Sequence, residues 1–162
     1  MRCYGADKVV ALQIKIYAVL LGCNASSNKQ KAGQGDQTLI TSDNISRITG
    51  MQWILQKMIV DASEYPLAGE MPFVKFETDG KINGFASINR FFGSMQINEQ
   101  GQIKWSEAFG STRMAGPEGL MKQEHAFLEA LPKTEQLTIK GIRLYAYSED
   151  RQIECIFYVP IE

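Results

Sequence analysis

Between Ile48 and Val159 the chain breaks into short apolar–polar alternations separated by turn signals, and a single stretch repeats at helical spacing. Runs of that length and period read as half-buried strands, so the polypeptide is committed to a sheet built mostly from sequence neighbours. Trp53, Leu55 and Met58 mark the inward side of a first long strand, and Pro72–Phe76 a second. Thr78-Asp79-Gly80-Lys81 is a hairpin signal of the Asp-Gly type. Residues 81–97 continue as one or two strands with a break near Asn89, and Gly93 marks a bulge or a close backbone approach. After the Asn98–Gly101 turn come a strand ending at Trp105 and, later, strands at 135–139, 142–147 and 153–159. In the helical stretch Pro117 takes the first helical position with Glu118 in the first turn, and Phe127, Leu128 and Leu131 face the sheet. Pro132 ends it. The expected fold class is α+β: a curved, mostly antiparallel β-sheet or partial barrel with one packed helix.

The 162 residues allow one domain with a short extension, and 44% hydrophobic against 22% charged residues is enough for a real core. A formal net charge of -1 supplies no basic face for a phosphate backbone, so nucleic acid is set aside as a partner. The cysteines are Cys3, Cys23 and Cys155, without a C-x-x-C pair or a metal-ligand spacing. Cys155 sits in the alternating run Ile153–Val159 and reads as a small buried hydrophobe.

The first residues have a different character. Arg2, Lys8 and Lys15 precede the apolar run Ile16-Tyr-Ala-Val-Leu-Leu21-Gly22, which meets Cys23 and is too short to span a bilayer as a helix. A charged segment, a short apolar segment and a small residue before a cut describe an export leader. Leu20-Leu21-Gly22-Cys23 resembles the lipobox of bacterial lipoprotein signal peptides. The resemblance implies cleavage before Cys23, acylation of that cysteine with fatty acids such as palmitate, and a lipid-anchored protein of the cell envelope. The anchor would lie in the outer membrane or on the outer face of the cytoplasmic membrane. Residues 24–36 are rich in Gly, Ser, Lys and Gln without periodicity, as a linker is. The organisation expected is therefore a signal peptide over 1–22, a tether over 23–45 carrying the lipidated Cys23, and a domain over 46–162, whose folded part starts near Thr38 or Ser46. The competing reading keeps residues 1–22 as a strand or helix of a soluble fold, with Leu-Gly-Cys there by chance; Lys15 and Asp7 favour it.

Within the domain, Gly84-Phe-Ala-Ser-Ile-Asn89-Arg-Phe-Phe-Gly93-Ser-Met95 and Ile103 to Ala115, with Thr112 and Met114, resemble two stretches of the META domain family of heat-shock-associated, HslJ-like lipoproteins. Glu124, Phe127 and Leu131 are similar to its helix motif, and Trp53 to the tryptophan that opens the domain. The resemblance covers about Ile48 to Val159. It implies an envelope or secreted protein linked to stress tolerance, and it brings no catalytic residues or cofactor. Many members carry two cysteines that can pair where this chain has Ile88 and Gly116, so that staple is missing and an apolar contact would replace part of it.

No catalytic set is expected from the residues. His125 is the only histidine, which rules out a multi-histidine metal site, and it lies on the polar side of the helix. Ser94, Ser106 and Ser111 lack a strand–turn–helix elbow, and Glu107, Glu118 and Glu124 cluster only in sequence. Gly84, Asn89, Gly93 and Thr112 read as structural motif positions, the Asn and Thr closing backbone hydrogen-bond gaps. Arg90 and Arg113 each follow one of those polar residues, and alternation turns them outward to a candidate contact patch with Trp105 or Phe92. The function expected is a non-enzymatic envelope lipoprotein domain acting through contacts with an envelope protein or surface. The alternative is a binding domain for a small apolar ligand or peptide, in a groove lined by Phe73, Phe76, Phe91 and Trp105.

Overall fold

The computed structural model describes residues 37–160. The leader, Cys3, Cys23 and the tether to residue 36 lie outside them.

Strand β1 (Thr38–Leu39) is followed by a 3-10 turn at Ile45–Arg47 and by the long β2 (Gln52–Val60), with β3 (Ser63–Glu64) folded back on its end. The strands β4 (Phe73–Phe76), β5 (Lys81–Phe85) and β6 (Arg90–Ile97) form an antiparallel meander, and β7 (Ile103–Trp105) and β8 (Gly110–Ser111) both pair with β6. Helix α1 (Glu118–Ala130) then crosses to β9 (Gln136–Lys140), β10 (Arg143–Tyr147) and β11 (Glu154–Tyr158). The sheet path is β1-β9-β10-β11-β2-β4-β5-β6-β7, so the last strand of the chain pairs with the first long one. All ladders between named strands are antiparallel.

The sheet does not close into a barrel. At the β7 end the neighbour is the coil before β9, and the link consists of the Ile103 N–H donating to Glu135 O at 3.0 Å and the Trp105 indole donating to Thr134 O at 2.7 Å. A three-residue strand facing coil leaves no ladder to complete.

The fold also begins ahead of residue 46. Thr38–Leu39 is a strand of the sheet and Ile40 is fully buried, so the C-terminal part of the stretch expected as tether is structured. Ile40 and Ile48 supply the apolar side chains that seal one end of the core, which short polar flanks had masked in the sequence.

Period-two alternation places Trp53, Leu55, Val74, Phe76, Ile82, Phe91, Leu144 and Phe157 on the inner face, all with 1% exposure or less. A bulge between Ile156 and Phe157 shifts the β2 register by one residue and brings Met58 back inside beside Cys155. Helix α1 presents Phe127 to this face, where its ring meets Phe91 and Phe157 edge-on. Pro117 sits one place before the expected position, as the residue preceding the helix, and its carbonyl accepts the Met121 N–H. Pro132 does not stop the chain at once: with no N–H to continue the α ladder, Leu131–Lys133 tightens into a 3-10 turn closed by Thr134.

Candidate functional site

Two parts of the domain concentrate polar chemistry and exposed apolar surface, and they meet at a hollow where Ile88, Thr112 and Met114 of the first stand beside Phe73, Phe85 and Arg90 of the second.

The first is the corner between β5 and β6. The chain reverses through Ala86–Asn89, with Ala86 N–H donating to Asn89 O and Ser87 held at φ 107°, a conformation rarely taken by residues with a side chain. Two adjacent residues of α1 hold that geometry. The Gln123 amide, 2% exposed, donates to Ser87 Oγ and Ala68 O and accepts from Ala68 N–H. The Glu124 carboxylate accepts from the N–H groups of Ile88 and Asn89 and from Asn89 Nδ2, at 3.2, 2.7 and 2.8 Å. Asn89 in turn donates to Met114 O, and its Oδ1 accepts from Met114 N–H and the Thr112 hydroxyl, both at 2.8 Å. Thr112 Oγ1 accepts the Arg90 N–H. Both donors and both lone pairs of the Asn89 amide are thus used, and no described buried side-chain polar atom lacks a partner.

Asn89 and Thr112 therefore sit where a structural role places them. Glu124 and Gln123 are the residues that sequence reasoning missed as partners. The available signal was a pair of polar residues on a helix face otherwise lined by Leu120, Phe127 and Leu131. Gly84 and Gly93 are close-approach positions: a Cβ on Gly84 would lie 2.1 Å from Phe73 O and 2.5 Å from the Phe91 ring, and one on Gly93 2.6 Å from the Phe109 ring. The β5–β6 register runs through Gly93 without a shift, so of the two readings it is the close approach that holds. Gly116 packs against Ile88, with room for no Cβ nearer than 2.5 Å to Ile88 Cδ1, so an apolar contact joins those two positions.

The second part is the outer face of the sheet. Cross-strand register aligns Lys140, Arg143, Tyr158, Ile54, Phe73, Phe85 and Arg90 in one row across six ladders. Tyr158, Ile54, Phe73 and Phe85 are half-buried, and the Phe73 and Phe85 rings stack at 6.2 Å. Ile156 and Tyr145 lie in the next row, opposite Lys57, and Lys75 and Asn83 stand between Gln52 and Phe92. Phe92 is 61% exposed and covers Gly110.

The structure places Arg90 at one end of this row beside Phe85. Arg113 is exposed in the coil after β8, and Trp105 is half-buried with its edge on Phe109 and its indole N–H on Thr134 O. Arg90 and Trp105 belong to opposite faces: Arg90 pairs with Phe85 on the outer face, while Trp105 pairs with Met95 and packs against the core, so the expected patch does not form. The groove expected from Phe73, Phe76, Phe91 and Trp105 does not form, because Phe76 and Phe91 are 1% exposed inside the packed core while Phe73 faces outward.

A cleft of about 640 Å³ does lie elsewhere, between the outward side of α1 and the strand ends, with Val60, Tyr65, Met121 and Ile153 as its floor. His125 stands at its rim, exposed and 3.6 Å from Glu129, and Glu118 pairs with Lys122. Glu107 is exposed as well. Burial pushes the Cys155 thiol up to about 12, which suits packing rather than nucleophilic chemistry. Among the described residues no group of three His, Cys, Asp or Glu side chains is placed to hold a metal, and no helix is long and apolar enough to cross a membrane.

A family model for the META domain matches residues 46–155. The chain belongs to the META domain family. The family match spans the β5–β6 corner, α1 and the sheet as far as Cys155, so both parts described above fall within the META domain save Tyr158 and the segment from Thr38. Solved structures repeat the fold at low identity. A protein from Burkholderia xenovorans, solved by NMR, is 17% identical with a TM-score of 0.63, over 83% of this chain and 97% of that one. A DUF4847 family protein from Bacteroides vulgatus, solved by crystallography, is 11% identical with a TM-score of 0.52, over 73% and 98%. No curated protein matches the chain.

Proposed function

We propose that this META domain is a non-enzymatic envelope lipoprotein module that supports stress tolerance through contacts made by its outer sheet face. The observation that carries the reading is the register row itself: four half-exposed apolar side chains, three of them aromatic, set between Arg90 at one end and Arg143 and Lys140 at the other. Aromatic and arginine side chains grouped on one surface are the composition of a contact site. The carboxylate–amide cluster at the β5–β6 corner is occupied in holding backbone, since Glu124 and Asn89 spend their hydrogen-bonding capacity there.

The envelope part of the proposal rests on Leu20-Leu21-Gly22-Cys23 and the polar residues after it. Acylation at Cys23 would anchor the chain to a membrane, since two or more acyl chains hold where one is marginal. Intact mass of the membrane-fractionated protein, compared with Cys23→Ser, tests this. The expected mass is that of residues 23–162 plus acyl groups, lost in the variant; an unprocessed soluble chain overturns it.

A second reading takes the cleft beside α1 as a site for a small apolar ligand or peptide. Its support is an apolar floor with charged side chains at the rim, including Lys122, Glu129 and Lys133. Titration with a hydrophobic dye such as ANS, with Met121→Glu as the blocking variant, tests it; dye binding that Met121→Glu leaves unchanged excludes the cleft.

A further inference from the structure

We propose that the outer sheet face is a membrane-contact surface whose partner is an anionic phospholipid bilayer; the inference rests on the envelope reading above and names what that face meets. The helix fills the inner face of the sheet, where Phe127 meets Phe91 and Phe157, so the outer face keeps its apolar side chains half-exposed. On that face Arg90, Arg143, Lys140 and Lys75 have no ion-pair partner among the described residues, while Lys57 pairs with Glu64. The acidic groups near the row are Glu70, which borders the hollow of Phe73, Phe85 and Arg90, Glu154, one row beyond Ile156, and Glu77, which accepts from Asn83 beside Lys75. In a chain of net charge -1 the row itself is basic, with Lys140, Arg143 and Arg90 and no acidic residue in its register.

The arrangement suits a lipid surface. Phe and Tyr settle at the headgroup level, and Arg and Lys lay their stems along apolar surface while their charges reach phosphate. Ile142, 48% exposed at the turn between Lys140 and Arg143, adds an apolar tip beside the basic end of the row. A protein partner is recognised by anchors that fill fitted pockets; here the basic groups stand at the two ends of an apolar row, as a surface of many phosphates requires. Residues 24–36 give the domain a reach of about 45 Å from Cys23 at full extension, short enough to keep it near a membrane that holds Cys23.

The test is co-sedimentation of the full chain carrying Cys23→Ser with phosphatidylcholine vesicles, pure or containing one part in about four of phosphatidylglycerol. Binding is expected to the anionic vesicles, weakening with salt. Each basic group at such a surface contributes about fivefold in affinity, so Arg90→Glu with Arg143→Glu is expected to lower it at least thirtyfold, roughly. Lys122→Glu with Lys133→Glu makes the same charge change on α1 and is expected to leave binding within about twofold. Circular dichroism and the unfolding midpoint verify that each variant is folded. The proposal is overturned if the parent ignores anionic vesicles, if the outer-face pair binds like the parent, or if the α1 pair loses as much. It is also overturned if the parent is a dimer that the outer-face pair dissolves, which would make a second copy the occupant. Any of these results leaves the acylation of Cys23 standing, whereas an unacylated Cys23 would remove the anchor and leave the vesicle result to stand alone.

Discussion

The β5–β6 corner and the outer row handle their side chains in opposite ways. At the β5–β6 corner Asn89, Thr112, Gln123 and Glu124 exchange hydrogen bonds with one another and with the backbone of Ala68, Ile88, Asn89, Arg90 and Met114. Across the outer face Ile54, Phe73, Phe85 and Tyr158 remain half in water, and the arginines at either end of the row pair with no carboxylate among the described residues. The corner is therefore where stability resides, and the outer face is where removable surface free energy resides. A substitution should expose one property or the other, seldom both.

The comparison breaks most sharply at Gly84. Its Cβ would meet Phe73 O and the Phe91 ring at once, and neither the backbone oxygen nor a core ring can withdraw. Gly84→Ala is expected to lose about 3–5 kcal/mol in a guanidinium titration; a loss below about 1 kcal/mol would show that the core yields there. Asn89→Ala comes next. It strands the Met114 N–H, the Thr112 hydroxyl and part of the Glu124 carboxylate, a cost of about 3 kcal/mol. Glu124→Ala should lose a similar amount, and the double variant less than the sum, because both remove the same bonds. Full additivity would mean that the cluster is not a unit.

Gly116→Ala is smaller, about 1–2 kcal/mol, since Ile88 Cδ1 is the end of a side chain that can turn away. Ile88→Val should recover part of that loss by clearing the space, and no recovery would place the strain elsewhere. On the outer face Phe73→Thr should cost under about 1 kcal/mol while reducing binding by the surface, the reverse of the corner variants. Smallest of all is the effect of native conditions on Cys155. With its thiol raised to about 12 by burial, alkylation followed by peptide mapping should label it only on unfolding. Labelling in the folded protein would contradict the packing described here.

Much of the fold was legible in the sequence because alternation and turns are local. The inward set Trp53, Leu55 and Met58, the Asp79-Gly80 hairpin and the helix with Phe127 inside all follow from spacing. The short strands at Thr38–Leu39, Ser63–Glu64 and Gly110–Ser111 were not legible, since two residues carry no period and pair only because a longer strand lies alongside. The corner was half legible. Asn89 and Thr112 stood out as polar residues among apolar ones, but their partner Glu124 is 35 residues away from Asn89, and only the packing of α1 brings it there. The outer row was least legible. It is a property of register between strands, and a bulge after Ile156 decides which residue of β2 stands opposite each residue of β11. Trp105 was grouped with Arg90 although its register with Met95 puts it on the inner face, because the pairing of a three-residue strand cannot be read from its own spacing.

The most direct test of the division of labour is complementation. In a strain lacking the gene, a copy carrying Arg90→Glu and Arg143→Glu is compared with wild type for survival of heat or detergent stress, alongside its unfolding midpoint. The expected result is an unfolding free energy within about 0.5 kcal/mol of wild type and survival no better than the empty strain. Full survival with a folded protein would contradict the claim that the outer sheet face is the working surface.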